Sequence, residues 1–471
     1  MAKSRAGKKK KDSAGRMDWS RLMSRERFRT TAIKDEQDRN GRTPFQIDLD
    51  RIVYSQPFRR LQDKTQVHPL SENDHVRRRL THSIEVASVG RTLGLQVGRK
   101  ICERDKKTFA DQKINLEARD FADVLQAACL AHDIGNPPFG HFGEDAIREW
   151  FRHYLENEEI EPPLPDEKKN DFLLFEGNAQ GLRVLTRKES RPEDGGLQLT
   201  YATLGALTKY PWDGMNPHAT KKLGILSSEK DTFRKIADNL GLLPASVGAG
   251  KLDSEEGGLR WHRHPLAYLV EAADDISYRL SDLEDAVELN LITYEEVRDV
   301  YASVSIRKEA IEARPTKRMR LEYYREVATS KLISDVVRIF LEHEDEIMRG
   351  AYFGELLQHS RLGKSLVLES AKNLAEKKAF KHEKKVKVET AAFEVLSTLL
   401  KTFSDAVVEG VSRSTNGDAS KKTGRVLDLM GNSKPEMTSV HESLLFVTDF
   451  ICGMTDRYAW DLFKQIRGIA F

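Results

Sequence analysis

The feature that most constrains the fold is a helical repeat of apolar side chains along most of the chain. Leu80, Ile84 and Ala87 recur close to the 3.6-residue period of an α-helix. The stretch 121–130 is a dense run of helix-forming apolar residues, and Pro265 opens another long helical pattern at a first-turn position. Because the strict apolar–polar alternation of strands is scarce, the sequence predicts a mainly α-helical fold.

The composition is that of a globular chain, with 39% hydrophobic and 32% charged residues. Lys and Arg total 76 against 74 Asp and Glu, so the net charge of +2 does not indicate a strongly basic nucleic-acid binder. Cys102, Cys129 and Cys452 lie far apart without a CxxC motif. This spacing excludes a disulfide framework or a cysteine zinc site and favours the reducing cytoplasm. No run of about 18 apolar residues exists, so no membrane association is expected.

The N-terminal segment and several internal segments differ in composition from the helical stretches. Residues 1–20 are rich in Lys and Arg but lack the apolar stretch of a signal peptide, and they are predicted to form a disordered basic N-terminal arm. Polar, Gly- or Pro-bearing segments at 156–171, 186–196 and 412–424 are predicted loops. The segment 244–260 carries no assignable motif.

Residues 131–145, AHDIGNPPFGHFGED, contain the highest concentration of candidate ligand and catalytic side chains. An apolar helix runs into His132 and Asp133, breaks at a Gly/Pro-rich turn, and restarts with His141 and Glu144. A neutral imidazole beside a carboxylate is a ligand pair that divalent metals accept. Taken alone, the dipeptide is more typical of a core histidine beside a capping aspartate.

Two further positions could join this pair. His82 lies on a helical pattern among apolar neighbours, where a single histidine is more often a buried core residue. Asp274, Tyr278 and Asp282 share one helix stripe at i, i+4 and i+8. That stripe fits either a solvated acidic face or buried carboxylates that require a counter-charge or a metal.

The order of these residues, H…HD…D on separate helices, is that of the HD superfamily of metal-dependent phosphohydrolases. The surrounding sequence resembles the bacterial dGTP triphosphohydrolases, and it is most similar to the dGTPase-like, type 2, dNTP triphosphohydrolases. The matching pieces lie in order at 42–91, 131–144, 175–185, 199–212, 271–286 and 452–463.

The resemblance implies an all-α fold, an HD-domain helical bundle with additional C-terminal helices. Residues 21–290 would then form the HD phosphohydrolase core with inserted loops. Residues 291–471 would form a helical region that packs on the core and completes the site or an oligomer interface.

The resemblance also implies a reaction. The family hydrolyses a deoxynucleoside triphosphate at the α-phosphorus to deoxynucleoside and tripolyphosphate, with dGTP favoured. One divalent metal ion per site, Mn or Mg or alternatively Co, Ni or Fe, would be held by His82, His132, Asp133 and Asp274. His141 and Glu144 would form the catalytic pair, with His141 acting as either general acid or general base.

Family contacts to substrate fall on further residues of this chain. Arg79 corresponds to the arginine that clamps the α-phosphate, Gln66 and Asp282 to positions that read the 3′-hydroxyl, and Tyr278 to the ring that crowds the sugar 2′-carbon. Four more matching residues are expected to line the phosphate or sugar pocket: Asn136, Asn178, Lys209 and Tyr210. Related HD enzymes often carry a histidine at the position of Asn136, so a second proton-transfer role there is not expected.

Two alternatives remain open at this point. One is an HD phosphohydrolase acting on another nucleotide phosphate, and the other is a catalytically silent dNTP or nucleic-acid sensor, motivated by the basic pieces 76–79 and 316–320. Single-stranded DNA is a candidate additional partner on the same grounds. By resemblance, the chain is also expected to form a homo-oligomer, a hexamer in many family members, with a dNTP effector at subunit interfaces.

Overall fold

The computed structural model describes residues 15–28, 41–66, 75–157, 160, 163–187, 196–217, 219, 222–245, 258–375, 378, 383–414, 420–431 and 439–469. Within these ranges the chain is built of helices, and extended pairing is limited to five isolated β-bridges. The all-α prediction is therefore confirmed. None of the helices in the described ranges combines the length and the apolar character needed to cross a bilayer.

The α-helices follow one another along the chain as α1 (Trp19–Leu22), α2 (Pro44–Val53), α3 (Gln56–Arg60), α4 (Arg79–Asp111), α5 (Ala118–Ala131), α6 (His141–Asn157), α7 (Asp166–Leu173), α8 (Gly177–Arg187), α9 (Tyr201–Leu207), α10 (Lys230–Leu240), α11 (Pro265–Glu288), α12 (Tyr294–Val300), α13 (Lys308–Glu312), α14 (Lys317–Glu342), α15 (Glu344–Met348), α16 (Lys372–Leu374), α17 (Glu383–Ser414), α18 (Lys421–Leu429), α19 (Val440–Cys452) and α20 (Asp456–Ile466). A π-helical segment, Gly363–Ala371, precedes α16.

Local sequence explains where several helices begin. Thr43 caps α2 in a reciprocal capping box with Gln46, and a proline follows at the first helical position. The predicted proline start of α11 is confirmed at Pro265. There the His264 imidazole accepts a hydrogen bond from the Leu266 amide and satisfies a donor that the helix itself leaves free.

The first hydrophobic core is centred on α4, α5 and α11, with α14 packed outside them. Helices α4 and α5 run antiparallel and approach closely along a stripe formed by Gly90, Gly94 and Gly98. A Cβ at Gly94 would lie 2.6 Å from the backbone oxygen of Phe121, so a larger residue there would push the helices apart. The close approach brings the first turn of α4 beside the last turn of α5.

The second core is formed by α6, α17 and α19, with α7, α18 and α20 around them. Phe151 of α6 stacks on Phe172 of α7 with ring centroids 4.5 Å apart. The predicted C-terminal region 291–471 is thus divided between the cores, because α14 packs on the first and α17 to α20 build the second.

The fold begins earlier than the predicted boundary at residue 20. Met17 and Trp19 are buried, and the Trp19 indole donates to Glu344 Oε1 at 2.8 Å. Residues 15–20 therefore correct the predicted arm, whose first 14 residues lie outside the described ranges.

The predicted loops are only partly described. The segment 156–171 contains the start of α7, which corrects the expectation of an unbroken loop there. Residues 188–195, 246–257 and 415–419, from the other segments, lie outside the described residues.

Candidate active site

Three predicted metal ligands come together from three helices of the first core. His82 lies in the first turn of α4, His132 directly follows α5, and Asp274 lies in the middle of α11. Asp274 Oδ1 is 3.0 Å from His82 Nε2 and 3.5 Å from His132 Nε2. One ligand atom from each side chain lies within 4.8 Å of the others, which is a spacing that one metal ion can bridge.

The fourth predicted ligand, Asp133, lies beside this group. Its Oδ1 is 3.6 Å from His132 Nε2, and it also accepts from the Asn136 amide at 2.5 Å. Its Oδ2 pairs with Arg79 Nη1 at 2.7 Å. Arg79 is almost fully buried, so this pair is shielded from water and orients the Asp133 carboxylate.

The electrostatics of this group favour a bound cation. Burial alone would lower the pKa of His132, but Asp133 and Asp274 raise it to about 9. Burial would raise the pKa of Asp274, but His132 and His82 hold it well below its usual range. The carboxylates thus attract positive charge strongly. Two imidazoles and two carboxylates form a donor set that divalent transition metals accept, so these residues fit a divalent metal ion.

The predicted catalytic pair lies at the start of α6. His141 Nδ1 is 2.9 Å from Glu144 Oε2, and Glu144 Oε1 accepts from the Gly177 amide at 2.8 Å. Burial would raise the pKa of Glu144, but the hydrogen bond and charge of His141 lower it below its usual value. The Glu144 carboxylate is buried while the His141 ring is largely exposed. A fixed carboxylate therefore orients an imidazole that can still reach a ligand.

The turn between the two groups is tight. Phe139 and Gly140 both have left-handed backbone conformations, with φ of +64° and +63°. The backbone at Gly135 lies against α8, where a Cβ would meet Gly181 N at 2.1 Å and Gly177 O at 2.2 Å. The contact between this turn and α8 is therefore a contact between two backbones.

Both groups open onto one cavity of about 410 Å³. Its walls carry four cationic side chains, Arg79, Lys209, Lys222 and Arg279. The predicted site residues that line it are Gln66, Arg79, His132, Asp133, Asn136, His141, Glu144, Asn178, Lys209, Tyr210, Asp274 and Tyr278. Two predicted residues are not in its lining, His82 and Asp282. His82 is buried behind the Asp274 carboxylate, and Asp282 lies buried one helical turn beyond Tyr278.

The predicted substrate residues differ in how they are held. Lys209 Nζ pairs with Glu271 at 3.1 Å, and its ammonium lies 5.5 Å from the Tyr210 ring centre. The Asn178 amide donates to the buried carboxylate of Glu176 at 2.8 Å. Gln66, in contrast, has a buried Oε1 with no hydrogen-bond partner among the described residues. Because Gln66 also lines the cavity, this oxygen is an unpaired acceptor in the cavity wall.

Several residues of the site were missed by reasoning from the sequence. Glu176, Lys222, Asp275 and Arg279 also line the cavity, and Lys222 Nζ pairs with Glu176 at 2.6 Å. Burial raises the pKa of Asp275 to about 7, against the lowering effect of Lys209. Glu176, Asp275 and Arg279 stand inside the motif pieces 175–185 and 271–286, which are the sequence signal that could have found them. Lys222 stands outside every matching piece.

Comparisons with known proteins agree with this geometry. Residues 79–195 match the HD domain family, a range that begins at Arg79 and contains His82, His132 and His141. A deoxyguanosinetriphosphate triphosphohydrolase-like protein of Pseudomonas aeruginosa is 40% identical over 469 residues, covering 96% of this chain and 99% of the relative. One of the same description from Synechocystis is 39% identical, covering 96% and 100%.

A more distant relative is described as a deoxyguanosinetriphosphate triphosphohydrolase, without the words "like protein". The deoxyguanosinetriphosphate triphosphohydrolase of Klebsiella pneumoniae is 29% identical over 533 aligned positions, covering 97% of this chain and 99% of the relative. The similarity therefore extends through both cores and both ends of the described structure. The resemblance found in the sequence is confirmed, and the chain belongs to the HD-domain family of deoxyguanosinetriphosphate triphosphohydrolase-like proteins.

Proposed function

We propose that this protein is a hydrolase that cleaves deoxynucleoside triphosphates at the α-phosphorus into deoxynucleoside and tripolyphosphate. The observation that carries the proposal is the shared cavity. The His82–His132–Asp274 group, the His141–Glu144 pair and four cationic side chains meet around one space of about 410 Å³. A space of this size accommodates a nucleotide.

His82, His132, Asp133 and Asp274 are the proposed ligands of one divalent metal ion, Mn or Mg or alternatively Co, Ni or Fe. Such an ion, when bound, supplies a Lewis acid for a phosphoryl oxygen. Arg79 has two proposed roles. It holds the Asp133 carboxylate at 2.7 Å, and it lines the cavity, where the rest of its guanidinium can bind an α-phosphate.

The His141–Glu144 pair is the proposed proton-transfer device. Glu144 is fixed by the Gly177 amide and accepts the Nδ1 proton of His141, so the tautomer with Nε2 free is favoured. Nε2 can then either take a proton from water or give one to the leaving 5′-oxygen. The exposed ring is suited to this, since it can reach a ligand in the cavity.

The remaining polar residues are proposed to hold the substrate. Lys209 and Lys222 neutralise the polyphosphate. Asn178 lies close to Lys222, because both side chains contact the Glu176 carboxylate. Gln66 Oε1 accepts a hydrogen bond from the 3′-hydroxyl. Asp282, which lies one helical turn beyond Tyr278, contributes to recognition of the same hydroxyl. The Tyr278 ring, stacked under the Arg279 guanidinium at 5.0 Å, packs against the sugar and excludes a 2′-hydroxyl by clash.

Product analysis tests the proposal directly. The purified chain is incubated with each dNTP, singly and mixed, and with GTP, in Mn and then in Mg, and the products are separated by anion exchange. We expect deoxynucleoside and tripolyphosphate from dNTPs, no product from GTP, and no product in a His132→Ala variant. Release of pyrophosphate or orthophosphate would contradict attack at the α-phosphorus. No release from any dNTP would turn the search to other nucleotide phosphates or to a sensing role.

Base preference and regulation are part of the same proposal. Preference for dGTP, a homo-oligomer such as a hexamer, a dNTP effector at its interfaces, binding of single-stranded DNA and a cytoplasmic location stay predictions from the resemblance. Activity only in the mixed pool would support an effector, and equal rates for all four dNTPs would contradict a dGTP preference.

A further inference from the structure

One carboxylate of the second core holds two segments of the cavity wall. Asp456 is the first residue of α20 and is almost fully buried. Its Oδ2 accepts from the Thr65 amide at 3.0 Å and from the Thr65 hydroxyl, and its Oδ1 accepts from the Phe139 amide at 2.9 Å. Three donors from two distant parts of the chain therefore converge on one side chain.

Each held segment carries a residue of the proposed reaction. Thr65 directly precedes Gln66, which lines the cavity and has an unpaired Oε1. Phe139 stands two residues before His141. The Thr65 segment also joins the start of α4, because the Arg79 amide donates to the Lys64 carbonyl at 3.0 Å. The carboxylate thus links the sugar side of the cavity with its proton-transfer side.

A buried lysine makes a second tie at the same place. Lys64 Nζ donates to the Asn136 carbonyl at 2.7 Å and to the Cys452 carbonyl at the end of α19. Burial lowers the pKa of Lys64 to about 8, so it is held there at an energetic cost. The turn that follows the HD dipeptide is therefore fixed from the second core at two points.

The turn needs such support. Phe139 is not a glycine, yet its φ is +64°, a left-handed conformation that is unfavourable for a residue with a side chain. Its amide is bonded to Asp456 and its ring is buried in the second core. Without the carboxylate acceptor, the amide would be a buried donor with no partner in this arrangement.

We propose that Asp456 is a positioning residue that sets His141 and Gln66 relative to each other, so that the first residue of α20 supports the active site from outside the cavity. This inference rests on the proposed function. Asp456 does not line the cavity. It acts through the two segments it holds, and it controls both turnover and the reading of the 3′-hydroxyl.

The test variant is Asp456→Asn, which keeps the size of the side chain. Both carboxylate oxygens face a backbone N–H, one from Thr65 and one from Phe139. Either orientation of the asparagine amide therefore directs its NH2 group at a backbone donor and loses at least one hydrogen bond. The matched control is Asp461→Asn on the same helix, since Asp461 is about half exposed and its ion pair, among the described residues, is with Lys464 at 2.7 Å. A milder variant, Thr65→Val, removes only the hydroxyl donor.

The kinetic readout is kcat and KM for dGTP and for 2′,3′-dideoxy-GTP. We expect Asp456→Asn to lower kcat/KM for dGTP about 100-fold, as misplacement of about 1 Å does in enzymes. We expect the preference for dGTP over the dideoxy analogue to fall about tenfold in Asp456→Asn and in Gln66→Ala, and less in Thr65→Val. Asp461→Asn should remain within about twofold of wild type, as a surface substitution does.

Amide hydrogen exchange gives a readout that does not depend on turnover. We expect faster exchange in peptides covering 64–66 and 139–141 in Asp456→Asn and unchanged exchange in Asp461→Asn, with the other helices still protected. Unchanged exchange at both segments would overturn the holding role. A general loss of activity with the dGTP preference intact would overturn the positioning role and leave Asp456 as a structural residue.

Failure of the proposed function looks different. If wild-type protein releases no product from any dNTP, the activity proposal fails by itself. The exchange result then decides alone whether Asp456 holds the two segments. If wild type hydrolyses dGTP and the dideoxy analogue equally well, the reading of the 3′-hydroxyl by Gln66 is wrong, and kcat with hydrogen exchange tests the positioning role of Asp456.

Discussion

The two halves of the candidate site rest on different hydrophobic cores. His82, His132 and Asp274 stand on α4, α5 and α11, whose apolar faces form the first core. His141 and Glu144 stand on α6, whose Ala146, Ile147 and Phe151 belong to the second core. The ligand half is thus fixed by the packing of long helices with one another.

The junction between the halves is mostly polar. It includes the backbone contact at Gly135, the Glu144–Gly177 hydrogen bond, the hydrogen bonds made by Lys64 and Asp456, and the pairing of α8 with α19. Apolar packing tolerates small adjustments because it has no direction, whereas a hydrogen bond fixes an angle. The comparison teaches that the proposed metal ligands depend on one core, whereas the proposed catalytic arrangement depends on how the two cores meet.

The largest expected effect comes from breaking the ligand half alone. In Asp274→Asn, the carboxylate that contacts both His82 and His132 is lost, and we expect dNTP hydrolysis to fall roughly 10,000-fold, equivalent to about 5 kcal/mol. Calorimetric titration with Mn should show loss of binding. The exposed Asp461→Asn serves as the control. Wild-type metal affinity in Asp274→Asn would contradict the ligand assignment.

Breaking the proton-transfer half should separate catalysis from metal binding. In Glu144→Gln, the amide donates to His141 Nδ1 and favours the wrong tautomer, so we expect kcat to fall about 1,000-fold. Mn affinity should stay within about twofold of wild type, because the ligands belong to the other core. Loss of metal binding together with activity would show that the halves are not separable.

The next effect concerns the junction itself. Arg183 of α8 pairs with Asp449 of α19 at 2.9 Å and with Glu229 at 2.9 Å, and all three side chains are buried. Asp449→Asn removes one buried counter-charge, and we expect the free energy of unfolding in urea to fall by about 3 kcal/mol.

The control for this change is Glu442→Gln, which alters a partly exposed neighbour of the same network. It should shift the free energy of unfolding by less than about 0.5 kcal/mol. Equal losses in the two variants would mean that burial of the Arg183–Asp449 pair contributes nothing specific to joining the cores.

The smallest expected effect is on the pH dependence of the free energy of unfolding, through His264 at the start of α11. Burial lowers the pKa of His264, the cap of α11, to about 4, from an ordinary value of 6.5. Its contribution to stability is therefore complete above about pH 6.5 and is lost as the pH falls through 4. Between pH 7.5 and 5 we expect it to account for about 2 kcal/mol of the free energy of unfolding.

Urea unfolding at the two pH values checks this. His264→Asn, which keeps an acceptor for the Leu266 amide, should have a pH dependence smaller by that amount, even if it is less stable overall. The exposed His153→Asn should keep the wild-type dependence. An unchanged dependence in His264→Asn would contradict a buried neutral histidine.

The ligand half could be predicted from the sequence because its residues lie within strong helical patterns and quoted motifs. The repeat around Leu80 places His82 on α4, and the proline at 265 starts the helix that carries Asp274. The resemblance then orders these residues into one site. Their distances could not be predicted, since they depend on how closely α4 and α5 approach at Gly94.

The junction could not be predicted, because its contacts join residues far apart in the chain. Asp456 and Thr65 are separated by 391 positions, and the local sequence around either residue does not predict a contact with the other. The same is true of Trp19, whose burial against Glu344 brings residues 15–20 into the fold. The roles of the individual site residues and the domain division stay predictions.

The glycine contact between the turn and α8 has a consequence for changing what this protein accepts. At Gly135 and Gly177 even one added methyl group would collide with backbone or with the Asn136 and Glu144 side chains. Any side chain at either position would therefore shift the turn or α8, and with them Asn136 and Glu144, which line the cavity. Variation of the cavity should instead accumulate at positions such as Gln66 and Arg279, whose side chains line it.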